Sequence, residues 1–93
     1  MSSIVTVRFF AAAAEAAGVK EASVPLGAES VALEDFLESL PEVMSDTVDS
    51  SGQTLSRVCR YSSFLINAVH AKPSRAKLTP GDTLDVLPPF AGG

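Results

Sequence analysis

The sequence predicts a small α+β domain in which a mixed sheet of four to five strands packs on one main helix. Two observations carry this prediction: strand-like segments lie near both ends of the chain, and a helical stripe of apolar residues lies between them. A length of 93 residues allows one domain with a modest core. The 46% hydrophobic and 19% charged content is typical of a folded globular chain.

The first strand is predicted over residues 3–9, where apolar and polar side chains alternate. Its inward positions are Val5, Val7 and Phe9. Because successive side chains of a strand point to opposite faces, the same alternation turns Phe10 away from the core. An aromatic side chain is therefore expected on the outer side of the domain at the end of this strand.

A short helix and a second strand follow. Residues 11–17 are mostly alanine, the strongest helix former, and Gly18 is well placed to end the helix. Residues 20–26 again read as a strand, with Ala22 and Val24 on one face. We therefore expect a hairpin-like pair of strands whose connection carries the short helix.

The main helix has the clearest helical pattern in the sequence. Ser30 is a suitable N-cap, and Pro41 is expected to stop the helix because proline disfavours the α conformation in the residue before it. Between them, apolar residues recur at helical spacing and predict a stripe that faces the sheet. These residues are Leu33, Phe36, Leu37 and Leu40.

The stretch from residue 42 to 60 is the least regular part of the sequence. Short helical turns are predicted around residues 43–48 and 55–59, with a turn at residues 49–52 between them. Cys59 lies on the apolar side of the second helical turn, so we interpret it as a small buried packing residue. A sulfur-relay role for its thiol is the alternative.

The remaining strands are predicted in the C-terminal part of the chain. A buried apolar strand begins at Ser63 and ends in a turn at Asn67. Residues 69–75 are expected to pair back weakly, at an edge, because a proline interrupts them. The turn at residues 78–82 then leads into the last strand, residues 83–87.

The last residues, Leu-Pro-Pro-Phe-Ala-Gly-Gly, follow this strand without a linker. Pro88 and Pro89 have no backbone N–H for a neighbouring strand, so the chain must leave the sheet in an extended form. Residues 88–93 can reach roughly 20 Å and end in small residues. We therefore predict a domain over residues 1–87 that presents the carboxylate of Gly93, although simple fraying of a chain end is the alternative.

Composition and charge exclude several classes of function. The net charge of −4 disfavours nucleic acid and anionic membranes as partners and favours a protein with a basic face. A single histidine, His70, and a single cysteine cannot build a multi-ligand metal cluster. No phosphate-binding or dinucleotide motif surrounds a glycine, so no bound cofactor is expected. The lone cysteine and the absence of a signal-like start predict a cytoplasmic protein. Without a recognised motif for handling ATP, the chain is expected to be a reactant and not an enzyme by itself.

Several motifs carry a family resemblance. They are Phe9-Phe10-Ala11, Glu15 with Gly18, Asn67 after an apolar strand, the Leu-Thr-Pro-Gly-Asp turn at residues 78–82, and the Pro-Pro-x-x-Gly-Gly terminus. With them the whole chain resembles the ubiquitin-like β-grasp sulfur carriers, most of all the small subunit of molybdopterin synthase. The chain departs from the family at Ala14, where an arginine is frequent, and in the longer stretch over residues 42–60.

The resemblance implies a chemistry for the tail. A separate E1-like activating enzyme would adenylate Gly93 with ATP, and a sulfur donor would displace AMP to leave a C-terminal thiocarboxylate. The large subunit of molybdopterin synthase would receive the tail, and the sulfur would pass to a precursor pterin during molybdenum cofactor biosynthesis. Gly92 would keep the tip of the tail narrow. Two loaded carriers would be needed for each dithiolene, because each supplies one sulfur.

Two alternatives remain open at this point. One is a sulfur carrier for thiazole or cysteine biosynthesis, and the other is a β-grasp interaction module whose carboxylate is never activated. If the first and last strands are neighbours, as the resemblance implies, an exposed apolar surface would surround the base of the tail and dock the partner. The residues predicted to bind partners are Phe10, His70, Leu87, Pro88, Pro89, Phe90 and Ala91.

Overall fold

A computed structural model describes residues 3–44 and 52–89 of the protein. Among these residues no helix is both long and apolar enough to cross a membrane. The secondary structure elements follow one another as β1 (Ile4–Phe9), α1 (Ala12–Ala17), β2 (Glu21–Pro25), β3 (Val31–Ala32), α2 (Leu33–Val43), α3 (Leu55–Arg60), β4 (Ser63–Ile66), β5 (Val69–Ala71), β6 (Lys77–Leu78) and β7 (Thr83–Leu87).

The main sheet has five strands in the order β2-β1-β7-β4-β5. Its central pair, β1 and β7, is parallel, and the other three pairs are antiparallel. The first and last strands of the fold are therefore neighbours, as expected from the sequence. The mixed five-stranded sheet with its helices confirms the predicted α+β class. The two-stranded sheet formed by β3 and β6 was not predicted, because each strand has only two residues.

The core lies between the helices and one face of the sheet. The three residues predicted to point inward from the first strand are buried, and so are the inward residues of β7. From the helical side, α2 contributes most of the large side chains and α1 only alanines. The principal core residues are Val5, Val7, Phe9, Leu33, Phe36, Leu40, Val58, Phe64, Leu84 and Val86. We call the opposite face of the sheet the outer face.

Two predictions about the ends of the main helix are wrong. Ala32, not Ser30, occupies the N-cap position, and it makes no side-chain cap. Backbone carbonyls of a loop distant in sequence accept from the first N–H groups of the helix instead. The N–H of Leu33 donates to the carbonyl of Ala76 at 2.9 Å. Pro41 lies inside the helix rather than beyond it. Only two helical residues follow Pro41, so the N–H that the proline lacks affects the last turn alone.

The least regular stretch is described in part. Residues 45–51, which include most of the predicted turns at 43–48 and 49–52, lie outside the described residues. The helical turn predicted around residues 55–59 is confirmed as α3, which begins with a Thr54 side chain that accepts from the N–H of Arg57 at 3.3 Å. Cys59 is 8% exposed, as expected of a packing residue.

A hydrogen-bonded clasp holds the turn before β7 against the turn after β4. The Asp82 carboxylate accepts from the backbone N–H of Thr79 at 2.9 Å and from the Asn67 amide at 2.9 Å. The Asn67 side chain in turn accepts from the N–H of Thr83 at 3.0 Å. Burial disfavours ionisation of Asp82, but the hydrogen bonds from Thr79 and Asn67 outweigh it, so the pKa of Asp82 is lowered.

Candidate functional site at the base of the tail

The candidate site begins where β7 ends. Leu87 is the last residue of β7 and is partly buried, Pro88 is buried, and Pro89 is exposed. The first residue of the predicted tail therefore packs against the domain, and the chain becomes exposed at the second. Residues 90–93, which hold the predicted site residues Phe90, Ala91, Gly92 and Gly93, lie outside the described residues. Their roles and the division at residue 87 stay predictions.

Phe10 lies beside the base of the tail. The parallel register of β1 and β7 places Phe9 opposite Val86, so the next residues along the two strands are Phe10 and Leu87. The backbone N–H of Phe10 donates to the carbonyl of Val86 at 3.2 Å, which extends the pairing by one residue. Phe10 is 40% exposed. Phe10 and Leu87 are thus neighbours, as predicted.

An ion pair on the outer face, missed in the sequence, supports this surface. Arg8 donates from Nε to Asp85 Oδ1 at 2.6 Å and from Nη2 to Oδ2 at 2.7 Å. Asp85 is only 5% exposed, whereas the Arg8 side chain is half exposed. The hydrogen bonds and charge of Asp85 raise the pKa of Arg8. The Arg8 guanidinium also lies 5.8 Å from the centre of the Phe10 ring, a cation–π distance.

A signal for this ion pair was present in the sequence. Arg8 precedes Phe10 by two residues, and Asp85 precedes Leu87 by two residues. Once β1 and β7 are taken as parallel neighbours with Phe10 beside Leu87, the same register places Arg8 opposite Asp85. The signal was overlooked because only the apolar residues of the two strands were compared.

His70 does not border Phe10 and Leu87, in contrast to what the sequence analysis suggested. It is exposed on β5, the edge strand opposite to β2, where it pairs with Leu65 of β4. Three interstrand spacings, about 14 Å, separate β5 from β1. A partner could contact His70 only by covering the sheet across β4 and β7, and its role in partner binding stays a prediction.

Cys59 is poorly suited to carry sulfur. Its thiol is at the wall of a groove between α2, α3 and β4, and desolvation by burial raises its pKa from the ordinary value of 9.0 to about 11. Because the thiolate is the reactive form, a thiol with this pKa is almost entirely unreactive at neutral pH. The geometry therefore favours packing over the relay role.

The described residues around Leu87 form a surface from which the following residues leave the domain. Nowhere in residues 3–44 and 52–89 do three or more His, Cys, Asp or Glu residues come close enough to hold a metal ion. Here the chain leaves β7 through two prolines, beside the exposed ring of Phe10 and the guanidinium of Arg8, which Asp85 holds in place. Such an arrangement can orient the following residues toward another protein.

The fold defines a small ubiquitin-like β-grasp protein whose last strand leads into the Pro88-Pro89 step. Residues 7–93 match the model of the ThiS family. The chain therefore belongs to the ThiS family, a family of ubiquitin-like sulfur carriers. A search of curated protein sequences finds no match.

Solved structures confirm the fold. The crystal structure of SAMP1 from Haloferax volcanii, the small archaeal modifier protein 1, is similar with a TM-score of 0.70 and 24% identity over 97% of this chain and 99% of that one. The solution structure of the Haloferax volcanii HVO 2177 protein gives the same TM-score and identity over 97% and 86%. A Pyrococcus furiosus protein provisionally named molybdopterin converting factor subunit 1 has a TM-score of 0.67 and 21% identity over 96% and 100%.

Proposed function

We propose that this protein is the sulfur-carrier subunit of molybdopterin synthase. The observation that carries the proposal is the exit of the chain from β7 through Pro88 and Pro89, beside Phe10, toward a terminal Gly-Gly. Family membership and the similarity to the Pyrococcus furiosus protein support it. The protein would act as a co-substrate that is loaded, discharged and loaded again, and not as an enzyme by itself.

The proposed cycle begins with activation of the tail. A carboxylate is a poor acyl donor because its leaving group would be oxide. An E1-like enzyme therefore joins the Gly93 carboxylate to AMP and releases pyrophosphate from ATP. A sulfur donor then attacks the carbonyl carbon, AMP leaves, and the C-terminal thiocarboxylate remains. The protein needs no bound cofactor of its own for these steps.

In the second half of the cycle the large synthase subunit receives the tail. The thiocarboxylate sulfur, a better nucleophile than a carboxylate oxygen, attacks a carbon of the precursor pterin and displaces an oxygen leaving group, which gives an acyl thioester. Water then cleaves the acyl C–S bond, which restores the Gly93 carboxylate and leaves the sulfur on the pterin as a thiol. The small side chains of Ala91 and Gly92 allow the tip to enter a narrow active site. Phe10, Leu87 and the two prolines contact the partner outside that site.

Conjugation to another protein is the second candidate function. The structural similarity to small archaeal modifier protein 1 over 99% of that chain favours it. It would use the same adenylate, but a lysine amine of the target would displace AMP and form an amide bond to Gly93. Carriers for thiazole or cysteine biosynthesis would share the thiocarboxylate and differ only in the acceptor.

Intact-mass spectrometry tests the proposal. The protein is incubated with the activating enzyme, ATP and a sulfur donor, and the expected product has one carboxylate oxygen replaced by sulfur. Deletion of Gly93 should abolish this mass shift and leave the unfolding midpoint unchanged. A wild-type protein that stays unloaded, or a Gly93 deletion that is still loaded, would contradict the proposal. Amide-linked products without a thiocarboxylate would identify the modifier function.

A further inference from the structure

A basic pocket lies on the opposite side of the molecule from β1 and β2, beside the edge strand β5. Its volume is about 380 Å³, and its lining side chains are of two kinds. The basic members are His70, Lys72, Arg75 and Lys77, and the branched apolar members are Ile66 and Val69. This basic pocket is separate from the surface of Phe10 and Leu87, because β4 and β7 lie between β5 and β1.

The concentration of positive charge is unusual for this chain. The protein has a net charge of −4 and only seven Lys and Arg residues, yet three of the seven line the basic pocket. None of its lining residues is acidic. Within the part of the chain that the structure describes, none of the three cations forms an ion pair. Their charges repel one another, so an anionic ligand would be stabilised there.

Hydrogen bonds fix the backbone from which these side chains project. The carbonyl of Lys72 accepts from the N–H groups of Arg75 at 2.9 Å and Ala76 at 2.8 Å, which forms a defined turn. The turn is also bonded to the start of α2. The N–H of Glu34 donates to the carbonyl of Pro73 at 3.2 Å, and the N–H of Leu33 donates to the carbonyl of Ala76. Lys72 and Arg75 therefore sit on a turn held at both ends, and Lys77 follows it on β6, so little backbone order is lost when a ligand binds.

The apolar residues show what else the ligand must carry. Val69 is 67% exposed, although it lies on a strand, and Ile66 beside it is partly buried. A bare phosphate or sulfate would leave Val69 in water. A peptide segment that brings carboxylates together with an aliphatic side chain would satisfy the cations and cover Val69. Among the strands that the structure describes, none pairs with the outer edge of β5, and an extended segment can add to such an edge.

We propose that the basic pocket binds an extended segment of a partner protein in which carboxylate side chains flank an aliphatic one. Lys72, Arg75 and Lys77 pair with the carboxylates, and Val69 contacts the aliphatic side chain. Nucleic acid fits less well, because the net negative charge of the protein opposes a long polyanion. The proposal does not involve the tail, so it stands or falls independently of sulfur loading.

Selection from a display library of random linear peptides tests this proposal on the full chain. Wild-type protein should enrich peptides that combine Asp or Glu with Leu, Ile or Val. The charge-reversed variant Lys72→Glu/Arg75→Glu should not enrich them. The matched control is Lys20→Glu/Arg57→Glu, which makes the same charge change at exposed residues remote from the pocket lining. Unfolding midpoints of all proteins confirm that they are folded.

The binding strength and position then decide the outcome. Fluorescence anisotropy should give about tenfold weaker binding of an enriched peptide to Lys72→Glu/Arg75→Glu, a change of about 1.4 kcal/mol, and no change for the control. Amide chemical shifts should move at residues 69–77. Absence of acidic peptides from the selection would overturn the proposal. Equal binding of the peptide to both charge variants would also overturn it. So would displacement of the labelled peptide by AMP or heparin at a lower concentration than the unlabelled peptide requires.

Discussion

Asp85 is a buried carboxylate on the outer face of the sheet, and Arg8 supplies its counter-charge across the central strand pair. A buried charge is tolerated when it is paired and hydrogen-bonded, and both carboxylate oxygens here accept from one guanidinium. The same guanidinium lies against the Phe10 ring. One residue thus connects a buried charge in the sheet to the exposed ring beside the tail.

Removing the charge at Arg8 should destabilise the protein. In Arg8→Met the Asp85 carboxylate stays buried without its donors, so we expect a lower unfolding midpoint at pH 7. Arg8→Lys should recover only part of the loss, because an ammonium cannot bind both oxygens in the same planar geometry. Thermal unfolding followed by circular dichroism measures this. Lys20→Met is the control, and equal midpoints for Arg8→Met and Lys20→Met would contradict the expectation.

Ala68 has a positive φ of 70° in the turn between β4 and β5. An L-residue with a side chain is strained there, whereas glycine is not. Ala68→Gly should therefore raise the free energy of unfolding by about 1 kcal/mol. The matched control is Ala14→Gly inside α1, which should lower it by about 1 kcal/mol. Urea denaturation measures both, and the same sign for the two variants would refute the argument.

Cys59 gives a pH-dependent prediction. Its folded-state pKa of about 11 lies above the ordinary 9.0, so the unfolded state loses the proton first as pH rises. The stability linked to the protonated thiol is complete below pH 9 and falls by roughly 2 to 3 kcal/mol between pH 9 and 11.

The variant Cys59→Ala isolates this effect. At pH 7 it should be less stable than the wild type by about 1 kcal/mol, because the smaller side chain leaves a cavity. Above pH 10 the difference should shrink or reverse, because the alanine has no proton to lose. Other groups titrate in both proteins and cancel in the comparison. A difference that is independent of pH, measured by urea denaturation, would show that the thiol is not desolvated.

At the scale of elements, β1 and β7 together form the surface around the base of the tail. Phe10→Ala and Leu87→Ala should each weaken association with the large synthase subunit about tenfold or more, as expected of anchors at the centre of an interface. Because Phe10 is 40% exposed, its loss should hardly change folding. Calorimetric titration measures the affinity.

The control for that titration is Tyr61→Ala, which removes an aromatic side chain of similar exposure, 46%, at the end of α3. Its affinity should equal that of the wild type. If all three folded variants bind equally well, the partner docks elsewhere. Thiocarboxylate loading should continue in Phe10→Ala, because the reacting group is at Gly93.

Elements with strong periodicity were predictable, and elements defined by distant contacts were not. The stripe of α2 and the alternation of β1 and β7 depend on side chains within each segment, so their faces were correct. The start of α2 is set by the carbonyl of Ala76, more than forty residues away, and Ser30 offered only a local alternative. The short strands β3 and β6 likewise depend on pairing with each other, and neither has a sequence pattern of its own.

The part of the candidate site that depends on local sequence features was predictable as well. The Pro-Pro step and the apolar residues beside it are local features, and the family resemblance supplied the strand neighbours. Placing His70 required the strand order β7-β4-β5, which no local pattern contains. The ion pair of Arg8 and Asp85 needed the adjacency of β1 and β7 and their parallel register. Charges on two distant strands become partners only after both are known.

At the scale of the whole molecule, the core and the tail are separate along the chain. Among the described residues, the buried apolar residues of the core lie between Val5 and Val86, and Pro88 is the last buried position. Deletion of residues 90–93 should therefore leave the unfolding midpoint unchanged. Deletion of residues 88–93 should lower it slightly, because it removes a buried proline. Differential scanning calorimetry compares the two, and a lower midpoint in the shorter deletion would show that the tail contributes to stability.

The central position of the parallel pair has a consequence for synthesis of the protein. β1 is among the first segments to leave the ribosome, yet its partner β7 is separated from it by more than seventy residues. Neither β1 with β2 nor β4 with β5 can complete the sheet, because β7 joins the two pairs. Such distant pairing makes folding slow and leaves the nascent chain without its core until β7 emerges. A ribosome-bound chain from which β7 has not emerged therefore exposes the apolar residues of β1 and α2 that the complete sheet buries.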